Sequence, residues 1–542
     1  MTSQIKRIFL FPIAPIRSAV FSRFYFLFAL FLLSGCHPTP KADFTFINGP
    51  EPETIDPTMS TGQPESRLCR ALFEGLTARD AHGIARPAVA EYWDISPDGK
   101  TYTFHLRPDI KWSDGSQVTA YDFEYAWHRA LNPLTSAKYA EIFFFIRNAQ
   151  NYHESKVPFS EVGIRATDNL TLVVTLENPT LFFIDVVAFT TYLPVPRAKV
   201  EQYGDHWTKP NHIISNGAYR LLKWSVQDRL QFEKNPHYWR KDKVAFNRVD
   251  ALTVSLASTA FNMYATGQAD LVIDKSHIPV TLMAELRQRP DFHANPFLAT
   301  YFYRFNVTSP PFNDVRIRQA FSMSVDKQRI VDRITRASEL PAPTFAPPGV
   351  ANYTSPEGLS YNPEKARKLL AQAGYPEGHN FPRVNLLYNK GELNEQIAIE
   401  IQAMWKEVLG VHVELRNQEW ATYLKSLDAL DYSLARSSWV GDYNDANTFL
   451  DCFVTGRGNN RTGWGYAPYD ELMTQANAQQ DVTKRMKLLQ RAETILVVDQ
   501  APILPLYYFV GMMFYDGNKL GGIYPNVVDE HPLHEMYWKK TP

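Results

Sequence analysis

Cysteine is scarce in this chain of 542 residues: there are three, at 36, 69 and 452, and no C-x-x-C or H-E-x-x-H spacing exists, so the usual structural and catalytic zinc frameworks are excluded. G-x-S-x-G and the phosphate-binding G-x-x-x-x-G-K-[ST] are missing too, which removes the nucleophile elbow and the P-loop. No Cys/His pairing for nucleophilic catalysis is suggested by position. Charge of one sign is lacking as well, since 56 basic side chains face 57 acidic ones in no basic block, leaving no footprint for a nucleic acid or an anionic lipid surface. After residue 35 no run is apolar enough to span a bilayer; the nearest, Tyr507–Tyr515, reads as a buried strand. No internal repeat or low-complexity tract appears.

What is present begins at the N-terminus. Lys6, Arg7, Arg17 and Arg23 precede a ten-residue apolar run, Phe24–Leu33, and small Ser34 and Gly35 lead to Cys36. Ten residues cannot cross ~30 Å of hydrocarbon, so the run reads as a secretion signal rather than an anchor. Leu33-Ser34-Gly35-Cys36 resembles the lipobox of bacterial lipoproteins, which implies lipid on the Cys36 thiol and amine and an extracytoplasmic, membrane-tethered protein. Cutting before Cys36 leaves 507 residues with 52 basic and 57 acidic side chains. Cys69 and Cys452 sit beside apolar residues and read as two separate buried thiols, although an oxidising compartment would permit a disulfide.

Hydrophobic content of 45% with 13% aromatics can fill several cores, and the chain length predicts two or three domains. Residues 36–42 read as a polar tether, and Phe44–Ile47 as the first strand. Tyr102, Phe104 and Leu106 alternate as a strand between turns at Ser96–Gly99 and Ser113–Gly115. Thr119 with Asp122 fits a capping box, and Phe123, Trp127 and Ala130 repeat at helical spacing. Ile164–Ala166 and Leu170–Leu176 predict a hairpin, Tyr301–Asn306 a strand, and Val315–Ser324 and Lys327–Arg336 helices. Glu364–Ala373 predicts a helix closed by Gly374. Val384–Tyr388, a helix ending at Gly410 and alternating Val411, Val413 and Leu415 form a strand-helix-strand unit, so an α/β class with parallel pairing is expected.

Several blocks in order resemble one family, the extracytoplasmic solute-binding proteins of ABC importers, in the oligopeptide/dipeptide branch. They are Leu72-Phe73-Glu74-Gly75-Leu76, Thr103–Gly115 with Val118–Phe123 behind it, Ser215-Asn216-Gly217-Ala218-Tyr219 and Asn235-Pro236-His237-Tyr238-Trp239. Pro311–Arg316, Asn417-Gln418-Glu419-Trp420 and Trp439–Asp445 complete the series. The resemblance implies a two-lobed periplasmic-binding-protein clam of the type II, large peptide-binding subclass, with an additional small domain. The expected division is lobe I at 43–74, 197–298 and 511–542, the small domain at 75–196, and lobe II at 299–510. It implies short peptides as ligands, permease subunits of an importer as partners, a monomer, no cofactor and no enzymatic activity.

A broad-specificity peptide receptor should hold the ammonium, the carboxylate and the backbone tightly and the side chains loosely. By the resemblance, Asp442 captures the peptide amine and Arg436 the carboxylate. Trp439, Trp420, Ser438 and, from the small domain, Tyr139 line the pocket. The residues alone favour an Asx-turn at Asp442, while a solvated strand-end charge at Arg436 and core roles for the tryptophans are the competing readings. Departures from the family pattern are Thr61, with Gln63 nearby, in place of a glutamate, Asn394 in place of a histidine and Leu427 in place of an arginine. Ala299 and Val440 stand where the enterobacterial receptor has a cystine. Carboxylate capture is thereby expected to thin to Arg436. A murein-peptide, dipeptide, nickel or haem receptor on the same scaffold, a lipid-anchored hydrolase, and a sensory or adhesive surface protein are the alternatives. His531 and His534 read as surface residues rather than metal ligands.

Overall fold

The computed structural model describes residues 41–540, without the side chains at 280, 392, 420 and 421. Cys36 and the leader before it lie outside the described residues, as does the Trp420 side chain. Among the described residues no helix is long and apolar enough to cross a membrane.

A mixed sheet of eleven strands runs through residues 43–540. Ten form its main path: β1 Phe44–Gly49, β2 Tyr219–Ser225, β3 Arg229–Lys234, β4 Arg248–Thr253, β5 Leu271–Val272, β6 Phe292–Phe305, β7 Val384–Asn389, β8 Val413–Gln418, β9 Leu434–Val440 and β10 Ile503–Phe514. Their spatial order is β8-β7-β9-β6-β10-β5-β1-β4-β3-β2, and Leu340–Pro341 adds to β10. The long strands β6 and β10 sit mid-sheet and pair antiparallel from Phe292↔Phe514 to Arg304↔Ile503, with register breaks near Pro296 and Tyr301. The expected strand-helix-strand unit is β7, helix Glu392–Leu409 and β8, with β7 and β8 parallel from Val384↔Val413 to Asn389↔Gln418. Gly410 ends that helix at φ +70°, a left-handed cap that glycine adopts without a Cβ clash.

A separate four-stranded antiparallel sheet is built from Ala90–Ile95, Thr101–Leu106, Thr171–Thr175 and Ile164–Asp168, the last two being the expected hairpin. Helix Ala120–Leu131 packs on it. The capping box forms as read: Asp122 Oδ2 accepts from Thr119 N at 2.8 Å, and Phe123, Trp127 and Ala130 are fully buried. The Trp127 indole donates to Tyr192 O at 2.8 Å, so a large apolar body is buried with its one polar atom satisfied.

Two readings change. The expected helix 327–336 is α-helical only over Lys327–Ile330 and widens to π geometry over Val331–Thr335, with Arg336 left-handed at φ +53°. His531 and His534 are not surface residues, because the C-terminal segment packs back into the molecule. The His531 side chain is fully buried, with Nε2 3.1 Å from Asp529, and burial followed by the charge of Arg240 pulls His534 down to about 3. Leu427, which stands in place of the family's arginine, is buried with Leu387, Tyr423, Tyr432 and Ala435 in a small apolar cluster. Cys69 and Cys452 are both buried and free, as the adjoining apolar residues suggested.

Candidate ligand-binding site

Strand β9 carries most of the expected site. It pairs antiparallel with β6 along its whole length, from Phe305↔Leu434 to Ala299↔Val440. Its other edge meets β7 only at Leu386↔Leu434 and Leu387↔Ala435, after which β9 has a ladder on one side alone. Arg436 O accepts from the Tyr423 hydroxyl, and among the described residues Ser437–Val440 pairs with no strand on that side, the geometry that strand addition uses.

Asp442 follows in the loop after β9, and that loop is held from several directions. Asn444 N donates to Asp185 Oδ2 at 2.7 Å, and Arg79 bonds Asp185 at 2.9 Å and Glu530 at 2.6 Å while reaching Asp442 O at 3.4 Å. The Tyr443 ring stacks on Phe182 with centroids 4.6 Å apart, and Asp445 makes a buried two-bond pair with Arg485 at 2.7 and 2.8 Å. Bidentate arginine-carboxylate pairing fixes direction as well as distance. Asp442 is thus placed rigidly while its own carboxylate takes no hydrogen bond or ion pair among the described residues. The Asx-turn does not form.

Asp442 lines a pocket of about 420 Å³ shared with Tyr139, Trp439, Glu141, Asp451 and the cationic side chains of Lys138 and Arg457. Burial pushes Asp442 up to about 7 against the opposing pull of Arg79. Burial and the nearby Asp442 charge also raise Tyr139 above the ordinary phenol range. Trp439 serves both readings, because it lines this pocket and packs against the apolar cluster around Phe302 and Phe345. Its indole N–H is buried without an acceptor.

Arg436 and Asn394 meet in a second group. The Arg436 guanidinium lies 4.7 Å from the centroid of the Tyr301 ring and donates to Asn389 Oδ1 at 3.3 Å. Asn394 accepts from Tyr301 Oη at 3.1 Å and donates to Asn389 O at 3.1 Å. Arg436 is therefore half-buried on an aromatic ring rather than a solvated strand-end charge. Ser438 is half-buried on β9 opposite Tyr301. Thr61 is exposed, and Gln63 borders a different cavity of about 50 Å³ with Arg67, Arg70 and His531. The structure thus gathers Tyr139, Trp439 and Asp442 in one pocket and Arg436 with Asn394 in a neighbouring network, and brings Thr61 and Gln63 to neither. Sequence reasoning missed Arg79, Asp185 and Asn389, which act only through contacts between distant segments.

Fold and site together define a ligand-binding receptor of the type II periplasmic-binding-protein fold. Residues 85–461 match the model of the bacterial extracellular solute-binding proteins, family 5 Middle, and the chain belongs to that family, the peptide-binding solute receptors of ABC importers. It is 38% identical over 473 residues to the periplasmic oligopeptide-binding protein OppA of Escherichia coli, covering 85% of this chain and 86% of OppA. It is 37% identical over 481 residues to an Escherichia coli protein described as "Probable deoxycholate-binding periplasmic protein YgiS", covering 86% and 88%. The solved Escherichia coli murein tripeptide binding protein MppA superposes with a TM-score of 0.80 at 34% identity, covering 93% of this chain and 99% of that one.

Proposed function

We propose that this protein captures short peptides between two closing lobes and delivers them to an ABC importer while tethered to the membrane by lipid on Cys36. The observation that carries the reading is Asp442, half-buried in the lining of a pocket with aromatic walls, its carboxylate in no ion pair or hydrogen bond among the described residues although Arg79 acts on it through space. An uncompensated buried carboxylate is costly unless its partner arrives with the ligand, and a peptide ammonium is that partner. The unfilled edge of β9 supports pairing with the peptide backbone, which gives affinity without demanding a side-chain sequence. Arg436 suits the carboxylate end. Lobes divided at 43–74, 197–298 and 511–542 against 299–510, with 75–196 as the added domain, would place Tyr139 and Asp442 on different bodies, so closure would complete the pocket.

A deoxycholate-type ligand would fit this site less well, having a carboxylate and no ammonium for Asp442. Calorimetry with trialanine and its N-acetyl derivative tests the reading. The free amine should bind at least about 100-fold more tightly, the scale of losing one buried charge pair. Equal affinity would remove the role given to Asp442, and recovery of cleaved rather than intact peptide would replace the receptor by a hydrolase.

A further inference from the structure

The sequence carries no basic block, but folding assembles one where the chain enters the sheet. Asp43 leads directly into β1, and the Trp538 indole N–H donates to Asp43 O at 3.0 Å. The Phe44 and Phe246 rings stack with centroids 4.9 Å apart, and Trp538 meets both edge-on at 5.9 and 5.8 Å. Asp43 Oδ2 accepts from Asn247 N at 2.7 Å and from Arg248 N at 3.1 Å. Lys539 N donates to Lys519 O at 2.7 Å, and Lys539 Nζ to Gly517 O at 2.6 Å. Segments 43–44, 241–248, 516–519 and 537–540, distant in sequence, are thereby joined in one place.

Their charge is one-sided. They carry Lys241, Lys243, Arg248, Lys519, Lys539 and Lys540 against Asp43, Asp242 and Asp516. The five lysines are exposed and Arg248 is half-buried. Two of the carboxylates are occupied, Asp43 by its backbone donors and Asp516 by Lys519 at 3.0 Å, and neighbouring Glu535 lies 3.6 Å from His534. Lys241, Lys243, Arg248 and Lys540 make no ion pair among the described residues. Trp538 stays 40% exposed although its ring and its N–H are both held. A fixed surface tryptophan among unpaired lysines suits a membrane–water interface, the ring at headgroup level and the ammonium groups on phosphate.

The course of the chain points to the same partner. The tether expected over 36–42 separates Asp43 from the lipid on Cys36, and seven extended residues reach at most ~25 Å. That is about the ~23 Å radius of gyration of a folded chain of this length, so the leash keeps the face bearing Asp43 toward the bilayer. With 57 acidic and 52 basic side chains from Cys36 onward, the molecule as a whole is repelled by anionic headgroups, which favours turning this patch to them and the remainder away.

We infer that this face, Trp538 with Lys241, Lys243, Lys539 and Lys540 around it, is the surface on which the receptor rests against anionic phospholipid headgroups. The inference rests on the lipid-anchor part of the reading above, and it gives the tethered receptor one orientation rather than free rotation. A reference point for that orientation is Val226, 72% exposed in the turn between β2 and β3. It lies at the far end of β1 and β4, where Gly49 pairs with Thr253 and Thr253 N donates to Asp228 O, five strand steps or ~17 Å beyond Phe44.

The test is fluorescence quenching of the full protein, extracted from membranes, on vesicles of phosphatidylglycerol and phosphatidylcholine that contain a nitroxide-headgroup lipid. Asn247→Cys at the patch and Val226→Cys at the far end each carry a thiol dye, since Cys69 and Cys452 are buried and lipid would block Cys36. The dye at 247 should be quenched severalfold more than the dye at 226, and the difference should vanish at about 1 M salt, where charges are screened within ~3 Å. Lys243→Gln with Lys540→Gln should lower the patch-down population about 25-fold, about fivefold per lysine, and leave the melting temperature unchanged. Equal quenching at the two positions, or more at 226, overturns the surface. So does a difference that survives loss of both lysines, or one seen only with permease subunits in the vesicles, which would make the partner a protein. Dye on Cys36 of the unaltered protein overturns the anchor instead. Sedimentation with the same vesicles then decides the surface: binding that falls about fivefold per lysine replaced upholds it, and no binding overturns it.

Discussion

The pH dependence of peptide affinity follows directly from the position of Asp442. In the unliganded protein this carboxyl is pushed up to about 7 by burial, so at neutral pH it is half protonated. An incoming ammonium pairs only with the ionised form, so apparent affinity falls about fivefold from pH 7 to pH 6 and about tenfold for each further unit, since only the competent fraction binds. Between pH 7 and pH 5 the loss should be about 50-fold, roughly 2.3 kcal/mol. Above pH ~8 the peptide's own α-amine begins to deprotonate, so affinity should peak between about 7 and 8. Titration calorimetry at pH 6 in two buffers of different ionisation enthalpy should count about 0.9 proton released per peptide bound. Asp442→Asn should cost about 3–5 kcal/mol at the optimum and abolish the acid limb. The same variant should affect the unliganded fold with opposite sign. A raised carboxyl pKa means that the folded state holds the proton more tightly than the unfolded chain. The penalty for charging it grows from about pH 4 to about pH 7 and is constant above. Asp442→Asn should thus stabilise the empty protein at pH 8 by at most ~4 kcal/mol, less as pocket water solvates the carboxylate, and not at pH 4. A flat affinity from pH 5 to 8, or an unchanged acid limb in Asp442→Asn, would refute the reasoning.

Two further expectations concern the backbone ladder and the strand register. If pairing along β9 supplies most of the affinity, tripeptides differing only in uncharged side chains should fall within roughly 2 kcal/mol of one another, and a peptide panel with one far tighter member would show a dedicated receptor. Ala299 and Val440 are direct cross-strand partners of β6 and β9. Ala299→Cys with Val440→Cys should therefore oxidise to a disulfide and stabilise the protein by about 2–4 kcal/mol, read by thiol titration and thermal melting. Persistent free thiols under oxidising conditions would show the register to be otherwise.

Local signals in the sequence were enough for the elements that organise themselves. The capping box at Thr119 and Asp122, the terminal Gly410 and the alternation of Val411, Val413 and Leu415 each involve residues within a few positions of one another, so periodicity and capping rules reach them. The helix expected over 327–336 broke at Ile330 because helical spacing does not distinguish an α turn from a wider one. Family resemblance placed Asp442, Arg436, Trp439 and Tyr139 among candidate ligand residues, but the residues alone pointed to an Asx-turn at Asp442 and left a solvated charge open at Arg436.

What the sequence by itself determined is the α/β class, the strand-helix-strand unit, two separate thiols and a charge balance unsuited to nucleic acid, all set by composition or short-range pattern. Only the tertiary structure decided that the Asp442 carboxylate makes no ion pair among the described residues, that Arg436 lies over Tyr301 and that Lys275 lies over Phe509. Those facts depend on which strands become neighbours. Lys275 and Arg436 lie on segments more than 150 residues apart, and chain separation carries no local trace of the sheet order that sets each over its ring.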